Sequence, residues 1–151
     1  MTTIRLIDFA AESTALRELR MRVLYPNLPD AKSFYPGDDD AIHTGAFDPD
    51  GMLIGIASLF RRDDGSLQLR GMVTSAAARG TGAGREIVRF AEEDAMENGV
   101  SRLWCNARVS AMGFYEKCGW RVEGSEFEVP DIGAHYVMVS AATHEKTGAA
   151  G

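Results

Sequence analysis

At 151 residues with 45% hydrophobic content, the chain has the length of one ordinary domain and enough apolar material for one core, so a single domain over 1–151 is expected. A formal net charge of −6 opposes a nucleic-acid backbone as partner and is compatible with a cationic amine. No run approaches the roughly 20 apolar residues of a membrane span, and the N-terminus M-T-T-I-R-L-I-D lacks the apolar core of a signal peptide, so a cytoplasmic protein with no membrane partner is expected.

Thr3 to Ile7 reads as a short opening strand, and from about Ser13 the apolar positions Leu16, Leu19 and Val23 recur at helical spacing up to Pro26. From Tyr25 to Ile42 the prolines, Gly37 and the run Asp38-Asp39-Asp40 favour exposed loop or short helical turns, either a substrate-side loop or a solvated connection. His43–Phe47 and Met52–Phe60 flank the turn Asp48-Pro49-Asp50-Gly51 and read as a hairpin. Asp63-Asp64-Gly65 then turns the chain into a third antiparallel strand, Leu67 to Thr74. A helix from about Gly84 carries Ile87, Val88, Ala91 and Ala95 on one face and stops at Asn98-Gly99. Arg102 to Asn106 is a short strand, and strand, helix, strand in this order implies a parallel crossover. Ser110 is placed to cap a helix bearing Ala111, Phe114, Tyr115 and Cys118, closed by Gly119, and Trp120–Glu123 and His135–Ser140 finish the sheet. The tail from Thr143 reads as frayed.

The segment L-Q-L-R-G-M-V-T-S-A-A-A-R-G-T-G-A-G-R-E-I-V, Leu67 to Val88, joins a strand to a helix through a glycine-rich turn. Gly80, Gly82 and Gly84 carry no Cβ to hold a ligand off the main chain. The helix that follows leaves its first N–H groups without partners at the positive end of its dipole, which suits a pyrophosphate. Arg79 and Arg85 flank the turn and add charge-assisted donors. The dinucleotide fingerprint fails because Arg85 stands where its third glycine belongs, and no Gly-Lys-Ser/Thr triplet makes a Walker loop.

What does match is Arg/Gln-x-x-Gly-x-Gly/Ala, met by Arg79, Gly82 and Gly84, and it resembles the acyl-CoA loop of GNAT-type N-acetyltransferases. A second segment, A-R-V-S-A-M-G-F-Y-E-K-C-G-W from Ala107 to Trp120, is similar to the helix those enzymes write A-x-x-F-Y-E-K-x-G-F. Gly124 to Met138 resembles a subset of GNAT proteins ending in F-x-x-x-x-I-G-x-H, which brings no settled substrate. The resemblance implies an α/β chain with a mixed, mostly antiparallel sheet, flanking helices and a parallel splay between the fourth and fifth strands. It implies acetyl-CoA as cosubstrate, no metal, and a primary amine of a small molecule or peptide as acceptor, attacked directly in a ternary complex; a homodimer is left open.

Carried over by position, the resemblance assigns the backbone of Met72, Val73 and Thr74 to the pantetheine arm and thioester. It gives the pyrophosphate to Arg79, Gly80, Thr81, Gly82, Ala83, Gly84 and Arg85. Tyr115 matches the tyrosine facing the CoA sulfur, and a phenol with a pKa near 10 stays protonated and able to donate. The glutamate that many members carry before the glycine loop is replaced here by Gln68, Leu69 and Arg70, none of which can serve as base. Glu128, His135 or ordered water are the substitutes, histidine having a suitable unperturbed pKa of about 6.5. The family's pantetheine-holding asparagine falls on Arg108, with Asn106 shifted by two, so that contact is not carried over. Cys105 and Cys118 lack C-x-x-C spacing and are expected as free thiols, and a helix C-terminus disfavours Cys118 as nucleophile. The competing class is a non-catalytic acyl-CoA-binding or sensor module, which would bind CoA without releasing its thiol.

Overall fold

The computed structural model describes residues 2–140. In chain order it contains β1 (Thr3–Leu6), α1 (Phe9–Leu24), β2 (Ile42–Phe47), β3 (Leu53–Arg61), β4 (Leu67–Thr74), α2 (Ala83–Glu97), β5 (Leu103–Arg108), α3 (Met112–Lys117), β6 (Arg121–Val129) and β7 (Gly133–Val139). The seven strands form one mixed sheet in the order β1-β2-β3-β4-β5-β7-β6. β1 with β2, β2 with β3, β5 with β7 and β6 with β7 pair antiparallel, while β4 and β5 run parallel. The chain divides into two compact units, residues 2–60 with 70–91 and residues 61–69 with 92–140.

In the first unit, Ile7, Leu16, Leu19, Phe47, Ile56 and Val73 form the core, where the helical repeat of α1 meets Ile56 of β3. α1 begins at Phe9, earlier than Ser13, because Asp8 caps it: the Asp8 carboxylate accepts the Ala11 N–H, and Glu12 accepts the Asp8 N–H. The hairpin turn closes as its composition dictates, with the Asp48 carboxylate accepting the N–H groups of Asp50 and Met52. At Gly55 on β3 a Cβ would stand 2.7 Å from Ile87 Cδ1 of α2, so glycine sets how closely helix and strand approach. Ile87, Val88, Ala91 and Ala95 are all fully buried, the face their spacing predicts. The 25–42 segment forms short 3-10 turns at Asp30–Ser33 and Asp38–Asp40, but it is not simply exposed, since Ser33, Tyr35 and Asp38 are buried.

In the second unit, Leu67, Leu69, Leu103, Cys105, Ala107 and Met138 are buried. The parallel ladder covers Leu67↔Leu103 to Leu69↔Cys105 and ends there, although β4 continues to Thr74 and β5 to Arg108. Ser110 does not cap α3: it lies in a 3-10 turn, Val109–Ala111, and the capping position is Ala111, with no side-chain bond. β6 runs on to Val129, well past Glu123, because a bulge between Glu123 and Phe127, with Gly124 at φ 86°, lets pairing with β7 resume. The tail from Thr143 lies outside the described residues.

Candidate functional site

The glycine-rich turn belongs to the first unit. Gly80 and Gly82 sit at φ 78° and 88°, the left-handed region that a Cβ disfavours, and a Cβ at either would meet nothing within 4 Å. Gly84 takes no such angle, because it already lies within the first turn of α2. The first helical bond runs from Glu86 N–H to the Gly82 carbonyl. Among the described residues the amides of Gly80, Gly82, Gly84 and Arg85 donate to no acceptor, whereas the Thr81 amide donates to Ala78 O and the Ala83 amide reaches Thr81 Oγ1 at 3.4 Å. Unsatisfied donors therefore gather at the positive end of a 15-residue helix, with the exposed Arg79 and Arg85 beside them. An anion such as a pyrophosphate fits that donor set, the helix N-terminus being its natural binding place. Met72, Val73 and Thr74 end β4 in the same unit; the Val73 side chain is committed to the core, which leaves only its backbone for a ligand.

Tyr115, His135 and Glu128 belong to the second unit. Tyr115 is buried on α3, its ring 5.2 Å from Phe114 and 5.2 Å from Trp120, and its hydroxyl is hydrogen-bonded to the Cys105 sulfur. Burial holds both groups protonated, the phenol well above its ordinary value and the Cys105 thiol up at about 12. His135 Nδ1 lies 2.8 Å from the Gly133 carbonyl, and since a carbonyl only accepts, Nδ1 carries the proton. In the neutral ring the lone pair then sits on Nε2, which has no hydrogen-bond partner among the described residues. Phe127 packs on the imidazole at 5.8 Å.

The two candidate bases are not brought together. The register pairs Phe127 with His135 and Glu128 with Ala134, so alternation sends Glu128 to the opposite sheet face from His135, and Glu128 is exposed. Gln68, where a base is absent, accepts a hydrogen bond from Arg62 Nε at 2.7 Å.

Sequence spacing gives no sign of a buried polar network in the first unit. Arg20, fully buried on α1, holds Asp38 through two bonds of 2.8 and 3.0 Å and also donates to Ser33 O and Ser58 Oγ. His43 bridges Ser58 Oγ at 2.7 Å and Asp38 O at 2.8 Å, and burial holds its pKa below the ordinary value. The Tyr35 ring carries two guanidiniums, Arg20 at 3.8 Å and Arg70 at 4.3 Å, while its hydroxyl meets that of Tyr25 at 2.7 Å. The signal available in the sequence was an arginine on the apolar side of α1, between Leu19 and Val23.

The sequence matches the model of the Acetyltransferase (GNAT) family over residues 6–120. It is 38% identical over 129 residues, 80% of this chain and 86% of the relative, to YitI of Bacillus subtilis (strain 168), described as an uncharacterized N-acetyltransferase. Among solved structures, an acyl-CoA N-acyltransferase from Pseudomonas aeruginosa has the same fold, with a TM-score of 0.75, 23% identity and coverage of 93% of this chain and all of that one. An aminoglycoside 6'-N-acetyltransferase complexed with coenzyme A shares the fold at a TM-score of 0.76 and 14% identity, covering 93% and 97%. Among the described residues no helix is long and apolar enough to cross a membrane, and no three His, Cys, Asp or Glu side chains cluster as metal ligands.

Proposed function

The chain belongs to the GNAT acetyltransferase family, and from that premise we propose that it transfers an acetyl group from acetyl-CoA to a primary amine of a small molecule or peptide, by direct attack in a ternary complex. The observation that carries the donor is the set of unpartnered amides at Gly80, Gly82, Gly84 and Arg85. The family match crosses from one compact unit into the other, which supports reading the chain as one domain. Cys105 and Cys118 form no disulfide, which fits a reducing, cytoplasmic setting.

Acetyl-CoA supplies an activated acyl carbon on a sulfur that can depart. The loop from Arg79 to Arg85 holds the pyrophosphate, and the backbone of Met72, Val73 and Thr74 aligns the pantetheine arm and steadies the carbonyl oxygen as charge gathers on it. His135 Nε2 accepts the proton that the amine must lose, directly or through water; exposed Glu128 is the second candidate for that proton. The amine nitrogen bonds to the acyl carbon, the carbon–sulfur bond breaks, and Tyr115 donates its phenolic proton to the leaving thiolate. Burial keeps the phenol protonated and so able to serve as the donor.

A second reading, a non-catalytic acyl-CoA-binding module, is favoured by the existing bond from Tyr115 to Cys105, which already occupies the phenol. Thiol release from acetyl-CoA across a panel of amines separates the two. Amine-dependent release supports transfer; tight CoA binding with no release above background for any amine supports the module.

A further inference from the structure

We infer that Arg70 is the recognition group for a carboxylate on the acceptor, so that the acceptor is an amino acid or a similar amino-carboxylate. The inference rests on the acetyltransfer reading above and names the substrate class for it. Arg70 is half-buried on β4, two residues before Met72, and donates to no protein acceptor among the described residues. Its guanidinium lies 4.3 Å from the Tyr35 ring centroid and 5.6 Å from that of Phe60. Those rings hold the planar fork in place while leaving its N–H edges unspent.

Its surroundings set it apart. Arg17, Arg20, Arg62 and Arg102, the other partly or wholly buried arginines with defined partners, hold Asp30, Asp38, Gln68 and Glu123 respectively. Arg20, which shares the Tyr35 ring, has its charge cancelled by Asp38 and contributes no net attraction. Among the described residues Arg70 instead faces aromatic rings, with no carboxylate against it.

The charge count selects a carboxylate over a phosphate. One uncancelled cation matches a planar monoanion. A dianionic phosphate calls for more positive charge than this corner holds.

The test uses the full chain with acetyl-CoA and matched acceptor pairs: L-lysine with cadaverine, L-histidine with histamine, L-tyrosine with tyramine. Thiol release should favour the carboxylated member, and Arg70→Gln should cut the ratio of kcat/KM between amino acid and amine roughly ten- to hundredfold. Arg70→Lys, which keeps the charge and loses the fork, should fall between, with the melting temperature and CoA affinity of both variants near wild type. Equal kcat/KM for amine and amino acid, or a ratio untouched in Arg70→Gln, overturns the inference while leaving acetyltransfer standing. Saturation-transfer NMR with the same amino acids and CoA reads the site without turnover. Contacts in wild type that vanish in Arg70→Gln support it; no contact, or equal contact in both proteins, overturns it even if no acceptor in the panel is acetylated.

Discussion

Tyr115 and Arg20 show how differently two buried polar side chains are held. The Tyr115 hydroxyl spends its hydrogen bond on a sulfur, a soft and weak acceptor, which leaves it easily redirected to another sulfur. Tyr115→Phe keeps the ring contacts with Phe114 and Trp120 and removes only the proton. Turnover is expected to fall roughly ten- to a thousandfold with CoA affinity held within a few fold; wild-type turnover would return the residue to packing alone. Arg20, in contrast, is locked by Asp38, Ser33 and Ser58 with its Nε unpartnered, so its charge depends on one carboxylate. Asp38→Asn should destabilise the fold by about 3–5 kcal/mol, because it strands a buried cation. Urea unfolding reads this directly, and a loss below about 1 kcal/mol would mean the pair contributes little.

His43 makes the same network sensitive to pH. Its folded pKa lies below the ordinary 6.5, chiefly through burial, with Asp38 opposing and Arg20 adding to the shift. The unfolded chain therefore binds the proton more readily, so the stability held by neutral His43 is complete above about 6.5 and is lost as the pH falls from there through the folded value. Unfolding free energies followed from about pH 8 downward should decline below that point in wild type, and more shallowly in His43→Gln. Parallel profiles in the two proteins would assign the acid sensitivity to other groups.

At the scale of elements, the turn between β4 and α2 carries the strongest claim. Gly82→Val forces a β-branched residue to φ near +88° and fills the approach to the free amides. The variant should fold with a lower melting temperature and lose measurable CoA binding; unchanged affinity would place the pyrophosphate elsewhere. This turn was legible in the sequence because glycine spacing acts through the local backbone, and the same holds for the buried face of α2 and the hairpin at Asp48–Gly51. Boundaries decided by capping and pairing were less legible: Asp8 outcompetes Ser13 as the start of α1, Ser110 is drawn into a 3-10 turn, and a bulge extends β6 to Val129. The opposed faces of Glu128 and His135 follow from a register that no local spacing encodes. Least legible was the Asp38–Arg20–His43 cluster, whose members lie far apart along the chain and whose aspartate sits in a run that reads as solvent-facing.

Across the whole molecule, the strand order and the parallel β4–β5 pairing are those of the acyl-CoA N-acyltransferase fold, and the match to the family runs over residues 6–120. The family sets the reaction class, and the proposed choice of acceptor rests on Arg70. Binding of acetyl-CoA at the glycine-rich turn is the premise on which the donor, the role of Tyr115 and the direction of transfer all depend. Titration calorimetry of acetyl-CoA into the wild-type chain, with NAD and ATP as comparison ligands, tests it most directly. Saturable one-to-one binding of acetyl-CoA, with neither NAD nor ATP approaching it, is the predicted result; no binding of acetyl-CoA, or equal affinity for all three, would contradict the account.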